Sequence, residues 1–192
     1  MSDWQPASGP GAANRRAGMK RRIRAYFDSL HVLEVDTPAL SPFAVSDPQI
    51  ESLAVESCQV SKRPLYLCTS PEFHMKRLLA ANYPDIYSIC RVFRDGEAGT
   101  RHNPEFTMLE WYRPGFTLEQ LMDEVAALVC SCLDSAEPER VSYSELFRAH
   151  LAIDPREASL EQLKDCAREC LETSFDSSNP DHWLDLLFSH CI

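Results

Sequence analysis

No stretch of this sequence approaches the roughly 18 consecutive apolar residues that a membrane-spanning helix needs. Met1 to Gly18 hold no apolar segment of the kind a secretory leader carries, so no membrane is expected and the cytoplasm is the expected compartment. A basic excess is also missing. The formal net charge is −10, whereas a free-standing nucleic-acid binder would carry the opposite sign or a basic stripe. The one basic run, from Asn14-Arg15-Arg16 through Lys20-Arg21-Arg22 to Arg24, reads as the solvated face of a helix. Eight cysteines are present, yet no C-x-x-C occurs and no Cys/His quartet has zinc-finger spacing. Reduced, structural thiols are therefore expected, and no metal ligand is assigned within these residues. There is no P-loop and no G-x-G-x-x-G, so any nucleotide would have to rest on a sheet rather than a glycine loop. Internal repeats and low-complexity tracts are absent as well.

What is present is an ordinary globular composition, 44% hydrophobic and 25% charged, over 192 residues. Residues 1–14, with Pro6, Gly9, Pro10 and Gly11, read as a disordered arm. Met19, Ile23, Tyr26, Phe27 and Leu30 then form one helical stripe. Val32 to Asp36 reads as a short strand stopped by Thr37-Pro38, and Pro38, Pro42 and Pro48 mark a loop. Two strands are expected at Leu53–Val60 and Leu65–Cys68 around a Ser61–Pro64 turn. Ser70-Pro71 predicts a helix start, with a hydroxyl N-cap followed by proline at the first helical position. Further strands are expected at Ile86–Phe93 and Glu105–Arg113, flanking a polar loop. Beyond them lie capping boxes at Thr117/Gln120 and Ser159/Gln162. Leu118, Leu121, Val125, Leu128 and Val129 form the stripe after the first box. Asn179-Pro180 opens a last helix with Trp183, Leu184, Leu187 and Phe188. That apolar pattern reaches Ile192 without a glycine cap or proline stop, so the native chain is expected to continue.

The segment Ile86 to Tyr112 concentrates the chemistry. Strand alternation puts Phe106, Met108, Glu110 and Tyr112 on one face and Thr107, Leu109 and Trp111 on the other. Glu110 then needs a partner or a wet cavity, because an unpaired buried carboxylate is costly. Trp111 reads as core. The loop groups Arg94, Arg101, His102 and Asn103 as donors for an anion; Arg94 leaves the first strand where its planar guanidinium can clamp a phosphate. Phe106, just beyond the loop, is placed to stack on a purine.

These residues resemble a known family. Phe93-Arg94-Asp95-Gly96-Glu97, followed by the run Arg101 to Glu110 (RHNPEFTMLE), is similar to motif 2 of the class II aminoacyl-tRNA synthetases in its lysine-specific form. Residues 15–38, ending in Val35-Asp36-Thr37-Pro38, resemble motif 1, the dimer-interface helix and strand. Thr69-Ser70-Pro71-Glu72-Phe73-His74-Met75-Lys76-Arg77-Leu78 resembles the segment that offers a carboxylate to the substrate's α-amino group. The similarity runs from about residue 15 to 130.

The resemblance implies an α+β fold: an antiparallel sheet flanked by helices, incomplete in this chain. Residues 15–192 would form the N-terminal part of the catalytic domain, with motif 2 over 86–113 and a helical insertion over 117–192. It implies ATP and Mg²⁺ as cofactors. Arg94 would hold the α-phosphate and stabilise adenylation, with Asp95, Gly96, Glu97, His102, Asn103 and Phe106 completing the ATP site. Ser70, Pro71, Glu72, Glu110 and Tyr112 would bind the amino acid.

The resemblance to motif 1 begins near residue 15, so no anticodon-binding domain is expected ahead of it. Together with SPEFHMKRLL and MLEWYRP, this resembles the branch that joins lysine or (R)-β-lysine to a lysine side chain of elongation factor P. A homodimer through motif 1 and a protein rather than tRNA acceptor are then expected. A tRNA-directed lysyl-tRNA-synthetase paralogue and a noncatalytic dimerisation module are the other readings. The sequence departs from the family pattern in two places. Gly96 stands where the family has glutamate, with Glu97 one position later, and the Gly-rich motif 3 with its arginine does not occur. The acids that would hold Mg²⁺ belong to that same absent region.

Overall fold

The computed structural model describes residues 8–56, 62–100, 102–133 and 135–192. The expected strand end at Val60 and the loop residue Arg101 lie outside these residues, as do Cys58 and residues 1–7 of the expected arm. The chain divides into two compact units, one ending at Glu137 and one spanning Pro138–Ile192.

The first unit begins with α1 (Pro10–Ser29), which starts inside the expected arm. Gly9 is its N-cap and Pro10 opens the first turn, where a missing N–H costs no hydrogen bond. Gly9, Pro10 and Gly11, which read as part of a disordered arm, thus form a helix start. The helix ends with His31 at φ 56°, while the Val32 N–H reaches the Phe27 carbonyl and the His31 N–H that of Asp28. This paired closure aims the chain into β1 (Leu33–Glu34).

β1 pairs parallel with β5 (Ile86–Phe93), and β5 pairs antiparallel with β6 (Glu105–Tyr112), in the order β1-β5-β6. The expected antiparallel hairpin therefore carries a parallel edge strand. A smaller antiparallel sheet has the order β2-β4-β3, from Leu40–Ser41, Leu65–Leu67 and Ala54–Val55. It joins the larger sheet where the Phe93 N–H donates to the Cys68 carbonyl at 3.0 Å.

Helix α2 (Glu72–Ala80) starts one residue later than Ser70-Pro71 predicts: Pro71 is the N-cap, and the Ser70 hydroxyl accepts from the Glu72 N–H at 3.3 Å. Helix α3 (Leu118–Leu133) follows β6, and the reciprocal bonds between Thr117 and Gln120 are both made. Its buried stripe differs from the expected one. Glu124, Leu128 and Cys132 turn inward, whereas Leu118 is 69% and Val125 39% exposed.

Phe27, Val32, Tyr87, Leu128 and Cys132 form the core between the helices and the sheet, with Leu109 and Trp111 packed on it. Phe27 stacks on Tyr87 with centroids 4.5 Å apart. At the edge, Arg24 grips the Glu34 carboxylate through two nitrogens, and the Tyr87 hydroxyl donates to the same carboxylate at 2.9 Å. The hydrogen bond from Arg24 holds Glu34 below the usual carboxylate range. Burial first, then Glu34, pushes Tyr87 up to about 12.

The second unit holds α4 (Tyr143–Leu151), α5 (Leu160–Cys170) and α6 (Pro180–Cys191) around Phe147, Leu163, Ala167, Trp183 and Leu187. The Ser159/Gln162 box and the Asn179 cap form as expected; a further box at Ser142/Glu145 starts α4, which the apolar pattern did not mark. The helical region expected over 117–192 is thus split. α3 belongs with the sheet because its inward stripe packs on α1, where the Tyr26 hydroxyl donates to the Glu124 carbonyl. Among the described residues no helix is long and apolar enough to cross a membrane. Seven cysteines are free thiols there, but only Cys132 is buried.

Candidate active site

The register of β5 and β6, from Ile86 opposite Tyr112 to Phe93 opposite Glu105, sets which side chains face the site. Leu109 and Trp111 pack toward the helical core. Met108, Glu110 and Tyr112 face the other way, into an open hollow of about 670 Å³. Thr69, Ser70 and Glu72, at the start of α2, form a second wall, and Val45 to Pro48 with Ile50 a third.

Arg94 is placed by the hairpin itself. Its backbone N–H closes the loop onto the Pro104 carbonyl at 2.9 Å, and the next N–H, from Asp95, donates to the Glu51 carbonyl. The side chain then lies along the rim of the hollow. Its Nε donates to the Thr69 carbonyl at 3.4 Å, and Nη1 lies 3.5 Å from a Glu97 oxygen. The guanidinium carbon is 5.2 Å from the centre of the Phe106 ring, so cation and ring occupy the same side of the sheet.

The Glu97 contact bears on the departure at position 96. Gly96 has φ 74°, a left-handed conformation that side chains with a Cβ rarely adopt, so a glutamate there would be strained. The following residue, Glu97, reaches the arginine instead.

Inside the hollow, the Tyr112 hydroxyl donates to Glu110 Oε1 at 2.7 Å. Burial raises the Glu110 carboxyl above its ordinary range; the Tyr112 bond lowers it in part, and the neighbouring Glu72 adds to the rise. Burial and Glu110 together push the Tyr112 hydroxyl well up. On the opposite wall Glu72 is paired with Lys76, one turn further along α2. The hollow therefore presents three acidic residues, Asp47, Glu72 and Glu110, and a phenol, with the Arg94 guanidinium at its edge and the Phe106 ring beside that guanidinium. Such a set can bind a cationic amine inside and an anion with a flat ring at the mouth.

Other expected site residues lie apart. Pro71 is fully buried and faces a separate cavity beside Asp36, Pro38, Cys68 and Val92, so it does not line the hollow although Ser70 and Glu72 on either side of it do. Asp95 and Gly96 are exposed, and the Asp95 carboxylate turns back to accept from the Gly96 N–H at 2.8 Å. His102 and Asn103 are exposed in the loop; the His102 carbonyl accepts from the Gly99 N–H, and neither residue lines the hollow. Three features of the site were not read from the sequence: Thr69, whose carbonyl receives Arg94; the Val45–Ile50 wall; and Lys76. Only Lys76 carried a local signal, its i,i+4 spacing from Glu72.

The model of the family described as tRNA synthetases class II (D, K and N) matches residues 12–184. This chain belongs to that class II synthetase family. An elongation factor P–(R)-β-lysine ligase of Haemophilus ducreyi is 42% identical over 193 residues, covering 99% of this chain and 59% of that protein. Proteins of the same name from Pseudoalteromonas translucida and Sodalis glossinidius are 44% and 42% identical, over 96% and 100% of this chain and 59% and 62% of their own lengths. The chain spans about three fifths of the length of these relatives. Within the class II synthetase fold, the hairpin with Arg94 and Phe106 is the element that the RHNPEFTMLE run builds.

Proposed function

We propose that this chain supplies the ATP and amino-acid site of an ATP-dependent ligase, one that activates lysine or (R)-β-lysine as an aminoacyl-adenylate and passes it to a lysine side chain of elongation factor P. The observation that carries this reading is the placement of Arg94 over Phe106 at the rim of a hollow walled by Glu72, Glu110 and Tyr112. The names of the similar ligases support the choice of substrate and acceptor.

In this reading the substrate carboxylate attacks the α-phosphorus, a carboxyl–phosphate bond forms and pyrophosphate leaves. The acceptor amine then attacks the carbonyl and AMP departs. No side-chain nucleophile is needed, and the protein contributes position and charge. Arg94 stabilises the charge that builds on the α-phosphate, and Phe106 stacks on adenine. Glu72 and Glu110 hold the ammonium groups of the amino acid, assisted by Ser70 and Tyr112. Glu97 steadies Arg94, while Asp95, Gly96, His102 and Asn103 act through a loop that closes on ATP. Mg²⁺ belongs to the same reading. Among the described residues no group of three or more His, Cys, Asp or Glu side chains could hold a metal ion, and no step above passes through one. The reading includes the cytoplasm as compartment and a homodimer through residues 15–38, where Leu30 and Leu33 are exposed.

The test is ATP–pyrophosphate exchange by the intact gene product with lysine and with (R)-β-lysine. Arg94→Ala should lower exchange by about 100-fold or more, the scale set by losing one transition-state charge contact. Its melting temperature should stay near that of the wild type, because Arg94 makes only long, partly exposed contacts. Normal exchange in this variant would refute the assignment.

A further inference from the structure

Glu72 and Lys76 lie one turn apart on α2, and the Lys76 ammonium donates to Glu72 Oε1. Glu72 also lines the hollow, together with Glu110. Lys76 is close enough to Glu110 to oppose the rise in that carboxyl's titration which Glu72 helps to cause. The chain thus places a primary ammonium at the carboxylate where the proposed function seats an ammonium of the substrate.

We propose that Lys76 is a built-in competitor for Glu72: its ammonium holds that carboxylate in the empty site and has to be displaced when a dibasic amino acid enters. The inference rests on the proposed function, since it needs Glu72 to receive the substrate. The physical basis is the weakness of the pair. Its side chains are 56% and 43% exposed, so it orients Glu72 without locking it. An exposed i,i+4 pair of this kind leaves its carboxylate free for about a third of the time, which weakens apparent substrate affinity about 3-fold. Lys76 then acts as a positioning residue that sets the affinity of the amine subsite. If the pair served only to stabilise α2, its loss would change melting temperature and leave substrate affinity alone.

The measurement is ATP–pyrophosphate exchange by the intact gene product, with lysine and then (R)-β-lysine varied, for the wild type, Lys76→Met and Lys76→Arg. Lys76→Met should lower KM for the amino acid about 3-fold, with the effect confined to KM rather than kcat, because only ground-state competition is removed. Lys76→Arg should restore the wild-type KM, because a guanidinium donates to the same carboxylate. A KM that is unchanged or raised in Lys76→Met, or a Lys76→Arg variant that behaves like Lys76→Met, overturns the competitor role and leaves the adenylation reading standing. Absence of amino-acid-dependent exchange in the wild type would instead sink the adenylation reading, and this inference with it.

Discussion

Replacing Glu124 by alanine should remove the anchor that fastens α3 to the site hairpin, and the cost can be built from three contributions. The Trp111 indole N–H donates to Glu124 Oε1 at 2.9 Å; left without an acceptor, a buried donor costs about 1–3 kcal/mol. Arg113, whose side chain is 10% exposed, has two carboxylates within reach: Glu124 at 3.3 Å and Asp85 at 3.4 Å. Breaking a buried pair and stranding its cation costs about 3–5 kcal/mol, and the surviving Asp85 keeps the loss at the lower end of that range. Alanine returns a few tenths of a kcal/mol as the better helix former. The first two contributions share one carboxylate and do not simply add, so the net expectation is about 3 kcal/mol.

The assay is native-state hydrogen exchange at the β5 and β6 amides across a urea series, which reads the first unit residue by residue. Glu124→Gln, which keeps an acceptor for Trp111 and loses only the charge, should cost less than alanine. Adding Arg113→Met to Glu124→Gln should recover most of the loss, because the stranded cation is then gone as well. An opening free energy in Glu124→Ala within about 1 kcal/mol of the wild type would show that the buried pair does not anchor α3, against the burial argument.

Two further perturbations test other parts of the structure. Tyr87 titrates at about 12 in the fold, above its ordinary value, so its contribution is complete below about 10 and is lost as pH rises through 12. A tyrosinate absorbance titration of wild type against Tyr87→Phe should show the difference step near 12; a step near 10 would contradict the burial of Tyr87 and its bond to Glu34. Gly96→Ala should cost about 1 kcal/mol by thermal denaturation. Nothing lies within 4 Å of the added Cβ, so backbone strain alone sets the cost, and Gly96→Asn should cost less. Equal stability of all three forms would refute the left-handed conformation at this position.

Much of the site could be read before any coordinates. The alternation of Phe106, Met108, Glu110 and Tyr112 against Leu109 and Trp111 follows from strand geometry, and a charged residue on an apolar strand marks a polar space to be filled. The placement of Arg94 beside Phe106 followed from the hairpin. Pro71 lines a separate cavity from Ser70 and Glu72, because neighbouring residues in a helix cap point in unrelated directions. His102 and Asn103 lie in a loop, where no periodicity relates sequence position to facing. The inward turn of Glu124 was hidden for a different reason: a stripe is traced by apolar residues, and a carboxylate satisfied by Arg113 and Trp111 reads as surface.

By itself the sequence determined the hairpin and its two faces, the helix starts signalled by reciprocal caps, and the family to which the RHNPEFTMLE run belongs. These are local properties, fixed by dihedral preference, side-chain spacing and the chemistry of adjacent groups. Only the tertiary structure decided that β1 joins the sheet in parallel, that α3 packs on α1 while the later helices form their own unit, and that Ser70 and Glu72 face Glu110 across one hollow. Those arrangements depend on pairings between residues tens of positions apart. Many alternatives satisfy the same local pattern, and the choice among them comes from burying Phe27, Tyr87 and Leu128 together while the buried Glu124 keeps Arg113 beside it.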